Sequence, residues 1–218
     1  MLDFERARFL MIEQQIRPWE VNDQDVLDLL AVVKRENFVP AAYRNMAFVD
    51  TEIPLAGQQA MLAPKIEAKI LQALSVKKHE NVLEIGTGSG YLAALFGHRA
   101  RHVVSMEINP ELAAQARTNL TANGVLNVDV IESNGAAGYA AQAPYDVICA
   151  SGGISSVPAA WLEQLKVGGR LLAFVGEAPA MQTQLITRTS DTSFATVVLF
   201  ETVVPMLSGM PTQSHFSF

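Results

Sequence analysis

Val82-Leu83-Glu84-Ile85-Gly86-Thr87-Gly88-Ser89-Gly90-Tyr91 sets a short apolar run directly against three glycines, and Glu107 follows near the end of the next apolar run. Val82, Leu83 and Ile85 suit a buried parallel strand, which reads as a continuous apolar run and not as strict alternation. The glycines let the backbone turn tightly against a ligand, because Gly has no Cβ to collide with it. Glu107 then falls at the tip of the neighbouring strand, about 20 residues on, where a carboxylate can accept both hydroxyls of a ribose.

The glycine spacing selects among nucleoside ligands. A dinucleotide site uses G-x-G-x-x-G so that a pyrophosphate can sit on the helix N-terminus. Here the spacing is G-x-G-x-G, and the third position of the dinucleotide pattern is the bulky Tyr91. S-adenosylmethionine carries no phosphate, so that packing demand lapses, and it is the cofactor expected, with S-adenosylhomocysteine as product. Its expected contacts are Glu84, Gly86, Thr87, Gly88, Ser89 and Gly90 from the turn, Glu107 and Ile108 from the second strand, and Asn134 and Gly135 after the third. Glu84, just before the first glycine, can act through water on the amino-acid part of such a ligand. A purely structural glycine turn is the plainer alternative; the strand before it and the acid after it weigh against that alternative.

The 218 residues are 50% hydrophobic and only 17% charged, enough to bury a sizeable core. Sixteen basic against 22 acidic residues give a formal charge of −6, which argues against nucleic acid as the main partner. MLDFERARFL lacks the apolar core of a signal peptide and no run approaches membrane-spanning length, so a cytoplasmic protein is expected. The single cysteine, Cys149, excludes an internal disulfide and sits in an apolar run as a small buried hydrophobe. His79, His98, His102 and His215 show no metal-ligand spacing, so no metal is expected.

Outward from the glycine stretch, strand candidates at 81–86, 102–108, 128–133, 146–150 and 170–176 alternate with helical stretches, the pattern of βαβ units around a parallel sheet. Asn109 can cap the helix after Glu107, Pro110 suits its first turn, Leu112, Ala116 and Leu120 form one face, and Gly124 stops it. Runs at 184–189 and 196–204 have no crossover between them and predict an antiparallel hairpin at the sheet edge. The expectation is therefore an α/β, Rossmann-like seven-stranded methyltransferase sheet with helices on both faces, as one domain over 1–218. Within it, residues 1–65 form an N-terminal helical cap and substrate loop, and 66–218 the cofactor-binding core.

The chain resembles the protein-L-isoaspartate O-methyltransferases over nearly its whole length. Met11-Ile12-Glu13-Gln14-Gln15-Ile16 is similar to that family's N-terminal helix, Arg35-Glu36-Asn37-Phe38-Val39-Pro40 to its R-x-x-F-V-P segment, and Leu165-Lys166-Val167-Gly168-Gly169-Arg170-Leu171 and Val203-Val204-Pro205-Met206 to its later motifs. The resemblance implies methylation of the free α-carboxylate of isoaspartyl residues in damaged proteins, with a protein or peptide substrate, or another small acceptor, as partner. No nucleic-acid or membrane partner is implied, and a monomer or a dimer is expected. A carboxylate is already ionised at neutral pH, so positioning in a dry pocket, and not a general base, carries such a reaction.

The substrate half departs from the family. Where the family's loop reads G-Q-T-I-S-Q-P, this chain has Gln58-Gln59-Ala60-Met61-Leu62-Ala63-Pro64, so Ala60 replaces the Thr and Leu62 the Ser, and no catalytic residue is assigned at Leu62. Losing one donor from a preorganised anionic site costs roughly a hundredfold in rate. Leu207 likewise stands at a family Thr, whereas Ser151 keeps a hydroxyl at another, and Asn134 stands where the family has an Asp that accepts from the adenine amino group. A changed acceptor or a non-catalytic regulatory role is the alternative that these losses leave open.

Overall fold

A computed structural model describes residues 3–211. The chain opens on α1 (Phe4–Met11), capped by Asp3, whose side chain accepts from the Arg6 N–H. The helix then widens into a π-type turn over Ile12–Ile16 and tightens into a 3₁₀ turn over Arg17–Trp19, where Pro18 has no N–H with which to continue the ladder. The expected N-terminal helix is thus continuous but irregular. α2 (Gln24–Val32) starts at Asp23, which accepts from Asp25 N–H, and buries Val26, Leu27, Leu29 and Leu30.

A two-stranded hairpin, β1 (Ile53–Pro54) and β2 (Ala60–Met61), carries the loop between cap and core, and α3 (Pro64–Leu74) follows it. The core then runs β3 (Asn81–Ile85), α4 (Tyr91–Arg99), β4 (His102–Glu107), α5 (Pro110–Ala122), β5 (Val128–Glu132), β6 (Tyr145–Ile154), α6 (Ala159–Glu163), β7 (Leu165–Glu177), β8 (Ala180–Arg188) and β9 (Phe194–Thr202). The seven strands of the main sheet lie in the order β5-β4-β3-β6-β7-β8-β9. The first five pair in parallel, and β8 and β9 extend the edge through antiparallel pairings as a hairpin, as the sequence pattern predicts.

Both faces of the central strands are buried. Val82, Val103, Val147 and Cys149 enter one apolar cluster, and Leu83, Ile85, Val104, Ile148 and Ala150 enter the other. This explains why β3 reads as an unbroken apolar run. α5 follows its sequence signals closely: Asn109 Oδ1 accepts from the N–H groups of Glu111 and Leu112, Leu112, Ala116 and Leu120 are buried, and Gly124 takes φ +71°. From β3 the chain winds outward through β4 to β5, then returns to β6 on the opposite side of β3. That reversal opens a crevice at the carboxyl ends of β3, β4 and β6, where open α/β sheets bind ligands.

One boundary differs in a way that matters for the site. The fourth long strand was expected to end at 150, with Ser151 following it. Instead β6 continues through Ser151 to Ile154, with an irregularity between Cys149 and Gly153, because Gly153 pairs with Phe174 on one side and forms a parallel bridge to Met206 on the other. β7 similarly starts at Leu165, ahead of the expected 170.

Candidate functional site

The crevice is built on the glycine turn. Gly86, Gly88 and Gly90 all have positive φ, +98°, +55° and +84°, a conformation that only glycine adopts at little cost. Gly86 and Thr87 N–H both donate to the Met106 carbonyl, at 2.9 and 3.2 Å, which hooks the turn onto the end of β4. Gly90 faces α5 so closely that a Cβ there would lie 3.3 Å from that of Ala116. Tyr91 takes no part in this strand-to-helix packing. Its ring turns into the cap, 5.4 Å from that of Phe38 and 5.1 Å below the Arg35 guanidinium. A bulky residue is therefore compatible with the turn.

Glu107, 5% exposed, closes the turn from the β4 side. Its Oε2 accepts from Gly88 N–H at 2.8 Å and its Oε1 from Asn109 N–H at 2.9 Å, so both oxygens are oriented by backbone donors while each keeps a further lone pair. Gly135 approaches the sheet so tightly that a Cβ would lie 2.5 Å from Ile85 Cγ2, and its carbonyl accepts from the Trp161 indole N–H at 2.9 Å.

Below the turn lies a polar floor. Thr87 and Ser105 hydroxyls are 2.6 Å apart, Ser105 lies 2.5 Å from Glu84 Oε2, and the Ser151 hydroxyl donates to Glu84 Oε1 at 2.9 Å. Glu84 is wholly buried. Burial pushes its carboxyl up to about 8; the two serine hydrogen bonds pull it down, and Glu107 and Glu67 push it further up. At neutral pH it is therefore mainly the neutral acid. The unfolded chain ionises this group from about pH 4.5 while the native state keeps its proton to about pH 8, so native stability falls as pH rises through that window. Glu84→Gln removes this titration, and its thermal midpoint is expected to fall less than that of the wild type between pH 5 and 8. Parallel melting-temperature profiles for the two proteins would contradict the assignment.

Two segments overhang the crevice. The first is the hairpin loop, which turns through Gly57 and Gln58 at φ +66° and +60°. It is fixed from behind by Arg35, whose Nη2 donates to the Leu62 carbonyl at 2.7 Å, whose Nε donates to the Ala47 carbonyl at 2.9 Å, and whose Nη1 pairs with Glu67. Burial pushes the Glu67 carboxyl up to about 7 against the opposing pull of Arg35. The second segment is a strap after β9, anchored where Gly153 N–H donates to the Pro205 carbonyl and Leu207 N–H to the Gly153 carbonyl. Leu207 packs on the turn: a Cβ on Gly86 would lie 2.6 Å from its Cδ2. Asn134 holds the strap further along, with Nδ2 donating to the Gly209 carbonyl at 3.0 Å while Oδ1 accepts from Ala136 N–H at 2.9 Å. Loop and strap meet where Gln59 Nε2 donates to Ser208 Oγ at 2.9 Å.

The residues expected from sequence converge here. Gly86, Gly88, Glu107, Ile108, Gly135 and Ser151 line one trough, together with Gln59 and Ala60 from the loop. Glu84, Thr87, Ser89, Met61 and Leu62 line an adjoining cavity. Gly90 and Asn134 line neither: the first packs on α5 and the second grips the strap. Met61 and Leu62, 4% and 5% exposed, also belong to the apolar core. In the strap, Met206 is exposed and Leu207 and Met210 are half-buried. The sequence reading gave no role to Arg35, Ser105 or Ser208. Arg35 stood inside a quoted motif, whereas nothing local marks the other two. The tail beyond Pro211, including His215, lies outside the described residues. Among the described residues no cluster of His, Cys, Asp or Glu is arranged to hold a metal, and no helix is long and apolar enough to cross a membrane.

The family model for protein-L-isoaspartate(D-aspartate) O-methyltransferase matches residues 7–209. The chain is 42% identical over 193 residues to protein-L-isoaspartate O-methyltransferase 2 of Marinobacter nauticus, covering 88% of each, and 35% identical over 204 residues to the protein-L-isoaspartate O-methyltransferase of Herpetosiphon aurantiacus, covering 94% of this chain and 91% of that one. Among solved structures, a protein-L-isoaspartate O-methyltransferase superposes with a TM-score of 0.77 at 25% identity, over 94% of this chain and 66% of that one. A Plasmodium falciparum protein described as a putative protein-L-isoaspartate O-methyltransferase, in complex with S-adenosyl-L-homocysteine, shares the fold with a TM-score of 0.78 at 18% identity, over 95% of this chain and 99% of that one.

Proposed function

This chain belongs to the protein-L-isoaspartate O-methyltransferase family, and we propose that it methylates the free α-carboxylate of isoaspartyl residues in damaged proteins or peptides. It is an S-adenosylmethionine-dependent methyltransferase. The observation that carries the reading is the family match over residues 7–209, which spans the glycine turn, the cap and the overhanging loop together.

The residues present suit the cofactor. Three glycines of positive φ leave a cradle that side chains would fill, and beside it Glu107 offers two oriented oxygens for a ribose diol. Ile108 and Gly135, which line the trough, would flank the base. The neutral Glu84 and Ser151 would face the amino-acid end. Bound S-adenosylmethionine supplies an activated methyl group on its sulfonium and leaves as S-adenosylhomocysteine.

The protein's task is then to hold one acceptor oxygen in line behind that methyl group and to exclude water, since an ionised carboxylate needs no base. Met61, Leu62 and Leu207 supply the dry walls, and Arg35 fixes the backbone from which the first two project. Wild-type protein is expected to transfer label from S-adenosylmethionine to an isoaspartyl peptide and not to its aspartyl twin. Equal labelling of both peptides, or of neither, would overturn the reading.

A further inference from the structure

We infer that the Gln59 carboxamide and the Ser208 hydroxyl form the donor pair that holds the acceptor's α-carboxylate, in place of the two loop hydroxyls this chain lacks; this rests on the methyl-transfer reading above. The other side chains from loop and strap that line the trough and the adjoining cavity, Ala60, Met61, Leu62, Leu207 and Met210, have no hydrogen-bond donor. The Ser151 hydroxyl is committed to Glu84. An anion arriving there must be met by donors from somewhere else, because the trough already contains the Glu107 carboxylate.

Gln59 and Ser208 supply them. Both line the trough with Gly86 and Ser151, and both sit at its rim, Gln59 partly exposed and Ser208 exposed, where a peptide carboxylate arrives from solvent. Gln59 Nε2 has two protons and spends one on Ser208; Ser208 accepts and keeps its own proton. The pair therefore presents two free donors on atoms 2.9 Å apart, a spacing that the two oxygens of one carboxylate can span as a bidentate contact. Ser208 directly follows Leu207, so the strap hydroxyl has moved one residue along from the position of the family Thr, and the hydrogen bond to Gln59 turns it toward the loop.

The test is steady-state methylation of an isoaspartyl peptide by wild type, Ser208→Ala, Ser208→Thr and Gln59→Glu, with the dissociation constant of S-adenosylhomocysteine measured by calorimetry for each. Ser208→Ala is expected to raise the peptide KM about tenfold to a hundredfold, the effect of one hydrogen bond to a charged group, with cofactor affinity unchanged. Ser208→Thr should restore the wild-type KM, and Gln59→Glu, which sets a carboxylate against a carboxylate, should lose more than Ser208→Ala. Unchanged KM values with an active wild type would overturn the inference alone. Cofactor affinity falling in step with KM would also overturn it, by making the pair a clasp across the cofactor. A wild type that does not methylate the peptide while still binding S-adenosylhomocysteine would remove the acceptor assignment itself, and the inference with it.

Discussion

Arg35→Met is expected to cost about 3–5 kcal/mol of folding stability, the scale for stripping one partner from a buried ion pair. Arg35 is fully buried, and its guanidinium serves Glu67, the Ala47 carbonyl and the Leu62 carbonyl while stacking over the Tyr91 ring. The variant removes the guanidinium that pulls against burial at Glu67, itself 2% exposed, so that this carboxyl takes up a proton, and it leaves two carbonyls without a donor. A urea titration should show the midpoint falling by about 2 M for a slope near 2 kcal/mol per molar. Arg35→Met/Glu67→Leu should recover only part of the loss, because apolar replacement of both members removes the orphaned carboxyl but leaves the two carbonyls without a donor. A single variant within about 1 kcal/mol of wild type would show that the pair is not the cap's main fastening. The double variant should nonetheless transfer methyl groups poorly, since no donor then fixes the Leu62 carbonyl and the loop over the turn loses its register.

Arg35 also marks where sequence reading stops. The glycine turn, the strand alternation and the capping of α5 were legible because each is written in residues close together, and local sterics dictate the outcome. Ser105 was hidden because β4 reads as a buried strand, in which a serine passes as a small filler until Glu84 and Thr87 on the neighbouring segments are seen to need it. The strap was hidden for a different reason. Its contacts join residues 149 apart, from Gln59 to Ser208, and 75 apart, from Asn134 to Gly209, and no periodicity encodes such pairings. Tyr91 was legible as an exception to dinucleotide packing but not as a partner of the cap, because its partners Phe38 and Arg35 precede the sheet altogether. Asn134 shows the same limit from the other side. From sequence it stands only in the place of a family Asp that accepts, yet its amide also donates to the Gly209 carbonyl, which a carboxylate cannot do.

Glu107→Gln is expected to weaken S-adenosylhomocysteine binding almost as severely as Glu107→Ala, against the usual view of Gln as the mild replacement. Two backbone N–H groups, those of Gly88 and Asn109, point at the two carboxylate oxygens from 2.8 and 2.9 Å. An amide has only one oxygen, so whichever way Gln turns, its NH₂ group faces an N–H, and a donor meets a donor. The same NH₂ cannot accept from a ribose hydroxyl. Each hydrogen bond to a charged acceptor contributes about 1.5–3 kcal/mol, so losing two from the ribose corresponds to a weakening of about a hundredfold or more for Ala. The Gln variant should approach it because part of the remaining contact is offset by the turn shifting away from its own amide. Calorimetric titration of both variants, with urea midpoints to confirm that each is folded, checks this directly. A Gln variant that binds within about threefold of wild type would mean that the ribose is held elsewhere in the crevice and that Glu107 serves only to pin the turn.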